Sequence, residues 1–240
     1  MRLDKYLADC GIGTRSEVKV YLKKGMITLN GEKVVKGDIK VIEKSDVVCF
    51  QGEEVSYQEN RYYMLHKPAG VVSAVTDNLH RTVIDLLDVP NKQKLFPVGR
   101  LDIDTEGLLL LTDDGPLSHE LLSPKKHVDK TYYAVISGLV TEEDVVKFRE
   151  GLSIGEKKDT LPAELVILKP GNISEITVTI HEGKFHQVKR MFEAVGKEVT
   201  YLKRLSMGSL ALDEALAPGE YRELTEQEIS ELKENKYVDK

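Results

Sequence analysis

Long hydrophobic runs are missing from this 240-residue sequence. No stretch of eighteen consecutive apolar residues occurs, so no segment has the length and apolarity of a membrane-spanning helix. The N-terminal MRLDKYLADCG carries charges where a signal peptide needs an apolar centre, which predicts a cytoplasmic protein. Cysteine is scarce: Cys10 and Cys49 lie far apart, lack metal-ligand spacing and read as two buried, reduced thiols. There is no glycine-rich phosphate loop, no GxGxxG after a strand and no Cys/His cluster, so nucleotide cofactors and a bound metal find no support. Internal repeats and low-complexity segments are also absent. What is present is a 41% hydrophobic content, enough for a core, and a length that fits one large domain or a domain with a small appendage.

Acids outnumber bases, 40 to 34, and the net charge of −6 argues at first against a nucleic-acid partner. The distribution argues the other way. Residues 1–24 hold six Lys/Arg against three Asp/Glu, residues 184–204 six against two, and residues 213–240 nine acids against four bases. Without that acidic tail the body is nearly neutral with two basic regions, the local footprint that phosphate binding requires.

The chain is organised around Gly99–Gly115, GRLDIDTEGLLLLTDDG. Leu108 to Leu111, closed by Thr112 and the turn residues Asp113-Asp114-Gly115, read as a buried strand. Asp102 and Asp104, with Arg100 beside the first, therefore lie in the loop that feeds a core strand, a common place for chemistry. A carboxylate next to a cation stays ionised and usable as a nucleophile or base. GRLDxDTEGLLLLT resembles the signature loop of the pseudouridine synthases, in the branch that modifies ribosomal RNA. That resemblance implies that Asp102 is the catalytic residue.

The N-terminal stretch reads as a short helix over 3–9, broken at Gly11–Gly13. A second helix follows, opened by a Thr14/Glu17 capping box, burying Val18, Tyr21 and Leu22 and stopped by Gly25. Arg15, Lys19 and Lys23 form a stripe beside its apolar face, with Lys24 adjoining. Met26–Leu29, the Asn30-Gly31 turn, Lys33–Val35 and Val47–Phe50 read as a small sheet. MRLDKYL, TRSEVKVYLKKG and ITLNGEKV resemble the S4-type RNA-binding module, which implies that Arg15, Lys19, Lys23 and Lys24 hold RNA by phosphate and shape. Taken by itself, such a stripe is ordinarily a solvated helix face. Residues 51–60 lack a core pattern and read as a linker. The expected domains are therefore 1–59, the RNA-binding module with its linker, and 60–240, the catalytic domain.

Further on, strands are expected at Tyr62–Leu65 and Val71–Val75 and a short helix at Thr82–Leu87. HKPAGVVS also resembles the synthase family. His66 reads as structural, and Lys67 as a phosphate contact. Helices are expected at Leu117–Leu122, at Thr141–Glu150, within the stretch Glu182–Gly196, where Val188, Met191, Phe192 and Val195 stand at amphipathic spacing and Lys189 and Arg190 lie at the helix start, and at about Thr225–Asn235. Strands are expected at 132–136, 163–168, 174–181, 199–204 and 209–212. Strands outnumber helices without alternating strictly with them. The fold class is α+β: a small S4-like module and a larger domain on a mixed, mostly antiparallel sheet with flanking helices.

KTY and EGKFHQVKRMF carry the rest of the resemblance. It implies that Tyr132 stacks on the target base and that Lys189 pairs with the catalytic carboxylate. Arg100 would hold a phosphate or fill the space the base vacates. Lys130, Lys184, His186 and Arg190 are expected as further RNA contacts, while Asp104, Thr105 and Glu106 shape the loop. The implied reaction breaks the ribose C1′–uracil N1 bond and rejoins the base through C5, an isomerisation that needs no cofactor or metal. Overall likeness, including LAPGEYRELTEQEI, is to the small-subunit (16S) rRNA branch, with a monomer acting on ribosomal RNA in an assembling subunit. The alternatives are a large-subunit rRNA synthase, a non-catalytic S4-type ribosome-assembly protein and a metal-dependent phosphoesterase using Asp102 and Asp104.

Overall fold

A computed structural model of the chain describes residues 1–43 and 45–234. Its contacts divide the chain into two compact units, one of residues 1–60 with 88–92, the other of residues 61–87 and 93–240. The cut thus falls one residue later than the sequence suggested. Residues 88–92 also belong with the first unit, where Asn91 Nδ2 donates to the Ala8 carbonyl over 3.1 Å.

The first unit is two helices, α1 (Leu3–Asp9) and α2 (Arg15–Lys23), with four antiparallel strands. These are β1 (Ile27–Leu29), β2 (Glu32–Lys33), β3 (Val48–Phe50) and β4 (Glu53–Glu54), in the order β2-β1-β3-β4. The capping box at Thr14/Glu17 is present with both reciprocal hydrogen bonds. Asn30 and Gly31 both take positive φ, as a two-residue turn matched to strand twist requires. Leu3, Tyr6, Leu7, Val18, Leu22, Ile27, Val41 and Val48 form its core, with Tyr21 only half-buried against Phe50. Residues 51–57 are not a linker. Gln51-Gly52 turns the chain into β4, Val55 and Tyr57 pack on the core, and the Tyr6 hydroxyl donates to the Val55 carbonyl. Glu53 and Glu54 are both charged and exposed and show no alternation, which hid the strand. Cys10 and Cys49 are free and half-buried rather than buried.

The second unit is built on one sheet. Its strands are β5 (Tyr62–Lys67), β6 (Phe96–Pro97), β7 (Glu106–Thr112), β8 (Lys130–Ser137), β9 (Glu164–Lys169), β10 (Ile173–Ile180), β11 (Glu198–Met207), β12 (Leu210–Ala211) and β13 (Tyr221–Glu223). The order is β13-β5-β7-β11-β8-β10-β9, with β12 on β11 and β6 on β7. Among the described residues its strand pairs are antiparallel except β11 with β7, so the expected α+β class with a mixed, mostly antiparallel sheet holds. The helices are α3 (Gly115–Leu122), α4 (Glu142–Glu150), α5 (Gln187–Ala194) and α6 (Glu226–Glu234); residue 235, expected to end the last helix, lies outside the described residues.

The leucine run is explained by the place of β7. Leu108, Leu109, Leu110 and Leu111 are all fully buried, because both faces of this central strand are covered. Leu108 and Leu110 join Tyr62, Met64, Leu117, Leu121 and Leu232 in a core beneath α3 and α6. Where β7 meets β11, Gly107 lies opposite Arg204, and a Cβ there would run into the Arg204 carbonyl oxygen. Asp114, read as a turn residue, also caps α3 by accepting from the Leu117 amide and from the Tyr62 hydroxyl.

Two expected elements do not form. Residues 71–75 make no strand: Ser73 turns to bond the Leu101 backbone. Residues 82–87 make turns rather than a helix, although Thr82 and Asp85 exchange capping-type hydrogen bonds.

The C-terminal docking carries a pH signature. Arg222 binds both carboxylate oxygens of Glu228, with Nη1 to Oε2 2.9 Å and Nη2 to Oε1 2.7 Å, and Nε donates to Asp213. These bonds from Arg222 hold Glu228 down to about 2, from an ordinary value of 4.5. A carboxylate with a depressed folded pKa contributes stability that is full above its unfolded pKa and lost as pH falls through the folded one. Urea unfolding between pH 5 and 2 is expected to show the wild type losing stability more steeply than Arg222→Met. Parallel curves would remove Glu228 from the acid response.

Candidate active site

The loop 99–105 is fastened from beneath by the HKPAGVVS stretch. Lys67 is fully buried at the end of β5, and its Nζ donates to the carbonyls of Pro68 (3.0 Å), Asp102 (3.0 Å) and Thr105 (2.8 Å), with Ile103 at 3.5 Å. The Gly70 amide donates to the Ile103 carbonyl, and Ser73 Oγ bonds both the amide and the carbonyl of Leu101. Lys67 is therefore not a phosphate contact. It is a clasp for the loop, and burial pushes its ammonium down to about 8.

Above this clasp the Asp102 side chain is about a quarter exposed, with Oδ2 3.4 Å from Lys189 Nζ and Oδ1 3.5 Å from His186 Nε2. Lys189, on α5, makes its short hydrogen bonds to Asp104, at 2.7 and 2.8 Å. One ammonium thus serves two carboxylates, and Asp104 does more than shape the loop. The Lys189 bond holds the Asp104 carboxyl below the usual range. Burial works against the Lys189 charge, but the bonds to Asp104 and the charge of Asp102 outweigh it and raise the ammonium's pKa.

These groups line a cleft of about 900 Å³ together with Arg100, Tyr132, Lys184, Phe185, Lys130 and Arg204. Arg100 is exposed, and Tyr132 is buried on β8, opposite Arg204 of β11. Asp102, Tyr132, Lys189 and Arg100, far apart in sequence, are thus brought to one cleft. The expected RNA contacts fare differently. Lys130 lines the cleft but is buried, its Nζ on the Val128 carbonyl. Burial and the nearby Arg204 charge push it down to about 8. Lys184 Nζ is held by the carbonyls of Lys158 and Asp159. Arg190 is occupied by Glu156, the Phe185 carbonyl and the Ile154 carbonyl, so its guanidinium is a loop anchor. His186 faces Asp102 instead of standing apart as a phosphate contact.

In the first unit, Arg15 reaches the buried Asp4 carboxylate over 2.8 Å, which Arg2 also binds, whereas Lys19, Lys23 and Lys24 are exposed. His66 is buried with Nδ1 2.7 Å from the Leu216 carbonyl oxygen, as a structural histidine.

Sequence reasoning passed over Arg204. It is 2% exposed, and its Nε donates to the Leu108 carbonyl while its Nη2 is buried without a partner. The available signal was an arginine at an inward position of the strand that also buries Leu202. Among the described residues no group of three or more His, Cys, Asp or Glu gathers to hold a metal.

The cleft has the volume usual for a small-molecule site and carries on its wall a carboxylate beside an ammonium, a pairing that suits nucleophilic or acid–base chemistry. Residues 61–194 match the family described as RNA pseudouridylate synthase. An RNA pseudouridine synthase of Bacillus subtilis (strain 168), described as uncharacterized, is 50% identical over 98% of this chain and 99% of its own. Ribosomal small subunit pseudouridine synthase A is 45% identical in Vibrio vulnificus, over 97% of this chain and 99% of that one. In Escherichia coli (strain K12) it is 42% identical, over 97% and 100%. A crystal structure of a pseudouridylate synthase superposes with a TM-score of 0.69 at 41% identity, covering 97% of this chain and 99% of that one. The chain belongs to the RNA pseudouridylate synthase family.

Proposed function

We propose that this protein isomerises a specific uridine of small-subunit (16S) ribosomal RNA to pseudouridine, with Asp102 as the nucleophile. The observation that carries the chemistry is the Asp102 carboxylate, set on a clasped loop at the wall of the cleft that Tyr132 also lines, 3.4 Å from Lys189. The substrate rests on the names of the relatives at 45% and 42% identity.

The target uridine leaves its stack and enters the cleft against Tyr132. Asp102 adds to the nucleoside, at C1′ or at C6 of the base, and the C1′–N1 bond breaks. The base turns, C1′ bonds to C5, the bond to Asp102 breaks and frees its carboxylate, the C5 proton leaves and N1 regains a proton, so no atom is gained or lost. Lys189 keeps positive charge beside Asp102 throughout, and Arg100 meets the RNA at the rim. The N-terminal unit serves as an S4-type module, with Lys19, Lys23 and Lys24 on phosphates. The enzyme works as a cytoplasmic monomer on an assembling subunit.

Lys189→Met removes a charge-assisted contact of about 1.5–3 kcal/mol, so activity falls by about 10- to 150-fold. Lys189→Arg restores most of it, as single-turnover rates will report.

The decisive experiment supplies unmodified small- and large-subunit rRNA fragments and partly assembled small subunits. Pseudouridine is then mapped by chemical labelling and primer extension. One new site in small-subunit RNA is expected. A site only in large-subunit RNA would keep the chemistry and replace the substrate. Tight RNA binding without modification would replace the enzyme by a ribosome-assembly protein.

A further inference from the structure

Phe185 is 72% exposed. Its ring stacks on the imidazole of His186, with centroids 3.7 Å apart and planes 20° from parallel. Both rings line the cleft, and the imidazole's Nε2 stands 3.5 Å from Asp102 Oδ1. A two-ring stack therefore runs outward from beside the candidate nucleophile and ends in an aromatic ring open to solvent.

The stack is held in place by its surroundings. His186 takes a left-handed backbone, φ 49°, a conformation uncommon for side-chain-bearing residues. The Lys184 amide donates to the side chain of the buried Gln187, which is itself tied to Glu182. Arg190 Nη1 donates to the Phe185 carbonyl. An exposed phenyl ring on a fixed support loses little conformational freedom when a flat partner settles on it. The partner that suits it is a second flat, polarisable ring, and nucleobases of any sequence offer one. An RNA strand that gives up one base to a cleft leaves the neighbouring bases short of a stacking partner.

We infer that Phe185, backed by His186, is a second base-binding subsite, a platform on which a nucleobase adjacent to the target stacks. This rests on the reading that the cleft takes RNA, but its test does not require turnover.

The chain contains no tryptophan, so Phe185→Trp places a single reporter on the platform. This variant is titrated with an eight-nucleotide oligoadenylate and with an abasic ribose-phosphate oligomer of equal length. Quenching by the adenylate and none by the abasic strand is the expected result. Phe185→Ala should bind the adenylate about 5- to 150-fold more weakly than wild type, with abasic binding unchanged. Equal responses to the two strands, or adenylate affinity untouched by Phe185→Ala, would overturn the inference. Pseudouridine mapping on the same preparations keeps the questions apart. Quenching without modification retains the subsite and removes the enzyme, whereas modification without base-dependent quenching does the reverse.

Discussion

Asp102→Asn is expected to abolish pseudouridine formation while leaving the fold untouched. Loss of a nucleophile costs roughly 10³–10⁶-fold in rate, because an amide is isosteric but does not add to a carbon centre as a carboxylate does. The fold is spared for a structural reason. The Asp102 side chain is partly exposed, and its ion pairs among the described residues are with Lys189 at 3.4 Å and His186 at 3.5 Å, so little packing depends on it. What holds the loop is the Asp102 carbonyl, which accepts from Lys67 and is retained in the variant. Lys189 also keeps its two short bonds to Asp104. Pseudouridine mapping beside a thermal melt checks both halves. A variant with more than about a tenth of wild-type activity would remove Asp102 from the chemistry.

Lys67→Met should be the most damaging change that touches no substrate. It removes the buried donor shared by the carbonyls of Pro68, Asp102 and Thr105; the Asp102 carbonyl keeps the Thr105 amide, so the cost falls on Pro68 and Thr105. Unsatisfied buried acceptors cost about 1–3 kcal/mol each, so the loss is about 2 kcal/mol or more. In a chain of this size that lowers Tm by about 4–8 °C. Activity falls as well, because a displacement of about 1 Å at a reacting group costs about 10²-fold. Affinity for RNA should stay unchanged, since the ammonium is fully buried. The combination of lower Tm, lower turnover and unaltered RNA binding separates a clasp from a phosphate contact, and weaker RNA binding at an unaltered Tm would restore the latter.

These two variants mark where the sequence was legible and where it was not. Asp102 stands in a local pattern, an acid in a loop ahead of four leucines and a turn, and local order was enough to place it. Lys67 stands in an equally clear pattern, yet the residue looked like a surface cation. Apart from Pro68, its partners are backbone carbonyls 35 and more positions away, and carbonyls leave no trace in a side-chain pattern. Arg190 and Lys130 were misjudged for the same reason. The lost strand at 71–75 has a related cause. Its valine-rich composition suits a strand, but Ser73 satisfies the Leu101 backbone instead of a ladder. The short strands β4 and β13 lie among charged residues and carried no alternation to read.

By itself the sequence determined the segments whose physics is local: the two helices and Asn-Gly turn at the N-terminus, the buried leucine strand, the amphipathic α5 and the carboxylate in its loop. Capping boxes, positive-φ turns and hydrophobic period all act within a few residues, so they can be read in order along the chain. Only the tertiary structure decided which charges meet. It placed one lysine between two aspartates, turned another beneath the loop as its support, buried Arg204 under the cleft and left Phe185 open at its rim. Those outcomes depend on burial and on the angles at which distant strands and helices approach. A charge's role is set by whether water or a carbonyl surrounds it, and that is a property of the packed sheet rather than of any stretch of sequence.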